Sequence, residues 1–338
     1  MPELSKALQL KIKIVVPGIL FLIICVSIQV QVSCAIYLQA NYNSTKVSNE
    51  INVSQIALRK AHVADIDIGY KIFGNGTPLL LINGFASQMD FWDPTLLREL
   101  SAKHTIIVFD NRGIGNTSYG EKHFSIRQFA NDTAGLLNAL NVNKADVIGW
   151  SMGGMIAQEL TLDYPDRVGK LVISSSTCGG IEAKLPTQEV LSLYAHPEGS
   201  SSEKIQRFLP LLFPLKWRIQ NPDYLERLKI PKLVADETHN QQLNAIVDWP
   251  GVCFKLSNIH HPTLVILGTD CVFAVPVNSA LIAKRIQGAK LVQIEGGGHG
   301  LMFQYPETIS KTVKDFLSPC AIFTKSTCRH RITETSTS

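Results

Sequence analysis

The chain has 338 residues, 45% of them hydrophobic, and a formal net charge of +4 at pH 7. That length is enough for one large domain or two small ones. The positive charge gathers at the two ends, around Lys6, Lys11 and Lys13 and around Lys325, Arg329 and Arg331. The body between them carries no basic stripe that could track phosphates, which excludes nucleic acid as a partner.

From Ile14 to Leu38 the chain is uncharged and largely apolar, with Gln29 and Gln31 as the main polar interruptions. At ~1.5 Å per helical residue such a stretch crosses a ~30 Å hydrocarbon core. The lysines before it predict a cytoplasmic N-terminus and an exported body. Residues 1–38 therefore read as a signal anchor or, through Ser33-Cys34-Ala35, as a cleaved signal peptide. The anchor makes the membrane a partner through this segment; cleavage leaves a secreted body. Four Asn-x-Ser/Thr triplets, at Asn43, Asn52, Asn116 and Asn131, agree with export. Seven cysteines leave the pairing open; Cys320 and Cys328 could close a small loop in the tail.

Residues 39–55 are polar and read as a linker. From 56 to 318 short apolar runs alternate with amphipathic segments, which predicts an α/β fold: a mostly parallel central sheet with helices on both faces. The predicted strands are 66–73, Pro78–Ile82, Thr105–Phe109, Asp146–Gly149, Lys170–Ser174, Thr263–Leu267 and Lys290–Ile294. Leu79-Leu80-Leu81-Ile82 lacks polar alternation, as a strand buried on both faces should. Helical stripes run through Ile126, Phe129, Ala130, Leu136 and Leu137, and through Met152, Met155, Ile156 and Leu160. A last helix opens at Pro306. Residues 180–258 break the rhythm with prolines and apolar helical segments, and predict a helical cap inserted before the last two strands. Residues 319–338 form a polar tail.

Gly149-Trp150-Ser151-Met152-Gly153 satisfies G-x-S-x-G, with an apolar strand running into it and an amphipathic helix leaving it. A sharp strand-to-helix turn exposes the serine hydroxyl at a helix N-terminus, where free N–H groups favour developing negative charge. A serine needs a base. Of nine histidines, His299 follows the last strand inside a glycine loop, Gly296-Gly297-Gly298-His299-Gly300; His104 and the pair His260-His261 fit packing or surface roles. A carboxylate should hold the imidazole tautomer. Asp270, after the strand ending at Leu267, is the candidate and keeps the order Ser…Asp…His. The oxyanion donors expected are the backbone N–H groups of Met152 and Phe85. Asp110-Asn111-Arg112-Gly113-Ile114-Gly115 reads as a structural turn with a buried or paired arginine. No zinc-type Cys/His spacing, P-loop, HExxH or EF-hand pattern occurs, so no metal or cofactor is expected.

These stretches, with Leu79-Leu80-Leu81-Ile82-Asn83-Gly84-Phe85, resemble the α/β-hydrolase superfamily over about residues 56–318. The resemblance is nearest to the branch of cofactor-free haloperoxidases (perhydrolases), enol-lactone hydrolases, esterases and carbon–carbon bond hydrolases. It implies Ser151 as nucleophile, His299 as base and a cap over the site. It implies a serine hydrolase that cleaves small carboxylic esters or lactones through an acyl-serine. Epoxide hydrolase or dehalogenase chemistry is disfavoured, because those relatives carry aspartate where Ser151 stands. Two departures are visible: Asn83 stands where the family often has histidine, and Cys271 stands where the pattern Gly-x-x-Asp places the acid. Either the loop shifts so that Asp270 reaches His299, or the triad is weakened. The alternative is a binding or receptor protein that keeps the fold with little turnover.

Overall fold

The computed structural model describes residues 51, 53–195, 199–228 and 234–318. The apolar N-terminal segment, most of the linker and the tail from 319 lie outside the described residues. Among the described residues no helix is long and apolar enough to cross a membrane.

Eight strands form one sheet: β1 (Arg59–Val63), β2 (Ile66–Gly74), β3 (Thr77–Ile82), β4 (His104–Phe109), β5 (Ala145–Trp150), β6 (Val168–Ser174), β7 (Thr263–Gly268) and β8 (Lys290–Ile294). Their order is β1-β2-β4-β3-β5-β6-β7-β8. The β1–β2 and β2–β4 pairings are antiparallel and the remaining five are parallel. The seven strands read from sequence are all present, to within a few residues at their ends. β1 is the addition. Its Arg59-Lys60-Ala61-His62-Val63 buries only Val63, so an edge strand facing water carried no apolar run to announce it.

Eleven α-helices accompany the sheet in the described chain: α1 (Pro94–Ser101), α2 (Ile126–Ala139), α3 (Met152–Asp163), α4 (Gln188–Ala195), α5 (Ser201–Leu212), α6 (Leu215–Gln220), α7 (Pro222–Arg227), α8 (Asp236–Val247), α9 (Pro276–Arg285), α10 (Leu301–Gln304) and α11 (Pro306–Leu317). Their starts follow local chemistry. Asp93 caps α1 by accepting from the N–H groups of Thr95 and Leu96, with Pro94 at the first position. Ser125 caps α2 through Gln128 N–H, and Ser200 with Glu203 forms a capping box on α5.

The two faces of the sheet are separate cores because side chains alternate along each strand. Leu80 and Ile82 of β3 join Ile107, Val147 and Ile173 beneath α2 and α3. Leu79 and Leu81 join Ile106, Val108 and Ile148 beneath α1 and α11. Val53 is buried and its carbonyl accepts from Lys71 Nζ at 2.9 Å; the end of the expected linker is thus part of the packed body.

Five helices, α4 to α8, stand between β6 and β7, where the sequence reading placed its insertion. A disulfide joins Cys178, just after β6, to Cys253, just before β7. The Val252 N–H also donates to the Cys178 carbonyl at 2.7 Å, so the two roots of the insertion are tied twice. Trp249 Nε1 donates to Glu159 Oε1 of α3 at 2.7 Å, fixing the exit of α8 to the body.

Candidate active site

The turn from β5 into α3 sets Ser151 at φ 57°, ψ −120°, a strained region that a non-glycine residue holds only when its surroundings fix it. They do so here. Ser151 N–H donates to Ser174 O at 3.0 Å, and the Ser151 carbonyl accepts from Ser176 Oγ at 2.8 Å. The glycines make room: a Cβ on Gly149 would lie 2.3 Å from the Gly153 carbonyl oxygen, and one on Gly153 would lie 2.0 Å from that of Ile82. The elbow closes only because these positions have no side chain.

His299 meets Ser151 across the sheet edge. Its Nε2 lies 2.9 Å from Ser151 Oγ, and both side chains are buried. Trp150 Nε1 donates to the His299 carbonyl at 3.0 Å, linking the elbow directly to the histidine loop. That loop is pinned on two more sides: Gly298 N–H donates to Gln304 Oε1, and Gly300 N–H donates to the Leu212 carbonyl at 2.9 Å.

The partner of His299 Nδ1 is not Asp270. It is Cys271, whose Sγ lies 3.3 Å from Nδ1. Asp270 is exposed, and its Oδ1 accepts from Thr269 Oγ1. The loop register explains this. Thr269 N–H donates to Ile294 O, Asp270 N–H to Gly297 O and Cys271 N–H to Gly268 O. These three bonds turn the third residue after Gly268 toward the imidazole and the second toward water. Reading by residue type picked Asp270; counting from Gly268 picks Cys271.

The backbone N–H groups of Phe273 and Ala274, just ahead of the α9 N-terminus, favour the thiolate of Cys271. Burial nonetheless dominates and pushes the thiol up to about 12, so it stays neutral. Burial likewise lowers His299 to about 3. Among the described residues no carboxylate lies within hydrogen-bond reach of His299; Trp150 and Phe273 rings flank it at 5.5 and 5.0 Å. For Nε2 to accept from Ser151, the ring proton must sit on Nδ1 and point at sulfur, a weak acceptor.

The loop after β3 runs against Ser151: a Cβ on Gly84 would lie 3.1 Å from Ser151 Cβ. Ala86, at φ 52°, donates its N–H to Gln242 Oε1 of α8 at 2.8 Å, so a helix of the insertion holds this loop. Phe85 is buried and lines the same narrow cavity as Ser151 and His299, together with Trp150, Phe208, Leu211 and Phe273. Met152 opens α3 directly after Ser151. Gln242, Leu211 and Phe273 are members of this neighbourhood that sequence reasoning left without a role. No short motif could have announced Gln242, since 156 residues separate it from its partner.

Arg112 is the paired arginine expected. Its guanidinium bonds Asp132 through Nε and Nη2 at 2.8 and 2.7 Å, and Asp65 through Nη1 and Nη2 at 2.7 and 2.9 Å. It holds the Asp65 carboxyl well below the usual carboxylate range. His104 packs with Nδ1 on the Leu100 carbonyl, and His261 Nε2 faces the Pro165 carbonyl. Among the described residues no cluster of His, Cys, Asp or Glu is arranged to hold a metal.

A mostly parallel sheet, a serine on its strand-to-helix elbow and a histidine beyond its last strand together define an α/β-hydrolase arrangement. The family model described as alpha/beta hydrolase fold matches residues 77–306, and the chain belongs to that family. The putative carbamate hydrolase RutD of Azorhizobium caulinodans is 29% identical over 264 residues, covering 76% of this chain and 97% of that protein. The poly(3-hydroxyalkanoate) depolymerase of Ectopseudomonas oleovorans is 28% identical over 243 residues, covering 71% and 84%. The enol-lactonase of Burkholderia xenovorans shares the fold with a TM-score of 0.66 at 23% identity, over 77% of this chain and 99% of that one. These relatives carry hydrolase names, on three different substrates.

Proposed function

We propose that the chain is a serine hydrolase that cleaves carboxylic esters or lactones through an acyl-serine. The 2.9 Å contact between Ser151 Oγ and His299 Nε2, at a strained and fully braced elbow, carries the reading. Ser151 attacks the carbonyl while Nε2 takes its proton; the N–H groups of Phe85 and Met152 receive the oxyanion. The aromatic and leucine walls favour an apolar acyl group, and α5, which supplies Phe208 and Leu211, acts as part of a cap. Two of the names reported above, the poly(3-hydroxyalkanoate) depolymerase and the enol-lactonase, agree with ester or lactone cleavage, while the putative carbamate hydrolase names a carbamate.

Export is part of the same proposal. A disulfide between Cys178 and Cys253 belongs to an oxidising compartment, as an N-terminal signal or anchor would provide. Of the sequons among the described residues, Asn116 is exposed with its Nδ2 donating to Asp110, and Asn131 Oδ1 accepts from Tyr164.

One observation favours a second reading, a binding protein with little turnover: a thiol stands where the orienting carboxylate belongs. A screen of p-nitrophenyl esters of graded chain length and simple lactones separates the two. Turnover that disappears in Ser151→Ala and His299→Ala supports the hydrolase. Absence of turnover on every ester and lactone, with saturable binding retained, supports the binding protein.

A further inference from the structure

Resting on the reading that Ser151 is acylated, we propose that the site takes activated acyl donors, aryl esters and thioesters, and holds the acyl group on Ser151 as a slowly hydrolysed acyl-enzyme. The surroundings of His299 carry this. Nδ1 faces a neutral thiol at 3.3 Å, and the ring is enclosed by Trp150 and Phe273. Among the described residues no anion touches it. An imidazolium formed here has no counter-charge, so His299 is a weak base, and its depressed pKa agrees.

That weakness does not fall equally on the two half-reactions. In acylation the Ser151 Oγ–H bond breaks, an Oγ–carbon bond forms, and the proton moves to Nε2. With an aryl ester or thioester the carbonyl is electron-poor and needs little help. The phenolate or thiolate then departs with the electron pair of its own bond, without first receiving the proton. That proton returns to the leaving group or to solvent.

Hydrolysis of the acyl-serine has no such relief. Whatever the donor was, the ester on Ser151 is an unactivated alkyl ester. Water must give its proton to Nε2 as it attacks, and Nε2 must return a proton to Oγ as that bond breaks. Both transfers pass through the unsupported imidazolium. Phe208 and Leu211 wall the acyl group further from water. The second half-reaction is therefore the slow one.

The test uses the purified full-length chain with acetyl donors running from p-nitrophenyl acetate through an acetyl thioester to ethyl acetate. Stopped-flow release and intact mass are read together. The expected result is a burst of one nitrophenolate per chain, one acetyl group on the Ser151 peptide, and a common steady-state kcat for the activated donors. Ethyl acetate should acylate slowest. Cys271→Asp should then speed loss of the acetyl group by up to ~10⁴-fold, the size of the loss when a triad carboxylate is removed. If that variant fails to fold, the wild-type burst and leaving-group series decide alone. A linear time course without adduct, while Ser151→Ala is inactive, overturns the long-lived acyl-enzyme and leaves the serine hydrolase standing. Turnover that survives in Ser151→Ala overturns both.

Discussion

Cys271 Sγ sits 3.3 Å from Nδ1 of His299, in a loop whose hydrogen bonds expose the neighbouring Asp270 to solvent. The base of the proposed site is thus backed by a neutral group, and its chemistry should differ from that of a triad with a carboxylate.

The pH dependence follows directly. Burial lowers His299 to about 3, so the imidazole stays neutral well below the pH at which an ordinary histidine protonates. The kcat/KM for p-nitrophenyl acetate should stay level from pH 8 down to about pH 4 and fall only below it. In Cys271→Asp the new carboxylate favours the imidazolium, and the acid limb should move up toward neutrality. A wild-type limb near pH 6.5, the unperturbed histidine value, would contradict the burial argument. Stability falls in the same direction as pH falls, but over a higher window. The unfolded chain binds the His299 proton near pH 6.5 and the folded chain only near 3, so this residue's contribution is complete above 6.5 and is lost as pH falls through that window.

Asp270→Asn should leave kcat and KM within about twofold of wild type, because its carboxylate faces water and Thr269. A loss near the ~10⁴ of a missing triad acid would restore Asp270 to the machinery and show that the loop rearranges with substrate.

Arg112→Met should destabilise the chain by about 3–5 kcal/mol, the cost of leaving buried charges without their partner. Asp132 is buried and Asp65 partly so, and the guanidinium bonds both carboxylates. Urea unfolding measures it. A change below about 1 kcal/mol would mean that the pair is solvated in the folded state.

The Cys178–Cys253 bridge closes a loop of 75 residues, which the chain-entropy model values at about 4 kcal/mol. Cys178→Ala with Cys253→Ala, or reduction of the wild type, should lower the unfolding midpoint accordingly. The insertion should become the first segment cut in limited proteolysis. Equal resistance in oxidised and reduced protein would show that the bridge does not hold the insertion's roots.

Most of the sheet was legible because buried parallel strands must be continuous apolar runs, as in Leu79-Leu80-Leu81-Ile82. The elbow was legible because Gly149 and Gly153 are required by close backbone approaches that no side chain permits. The polar edge strand β1 was not, since little of it is buried. Nor were the pairings that depend on chain segments far apart: Cys178 with Cys253, and Gln242 with the loop at Ala86. Asp270 was chosen for its charge, whereas the hydrogen bonds of Thr269 and Asp270 to the β8 end of the sheet decide which residue turns inward. The spacing from Gly268 held that information; the residue type concealed it.

The central claim is that His299 makes Ser151 a nucleophile. Incubation with a fluorophosphonate, followed by intact-mass and peptide-mass analysis, reads it with no assumption about substrate. One phosphonyl adduct per chain, on the Ser151 peptide, lost in Ser151→Ala and strongly slowed in His299→Ala, is the expected result. No adduct on folded wild-type protein, or labelling at an unaltered rate in His299→Ala, would contradict it.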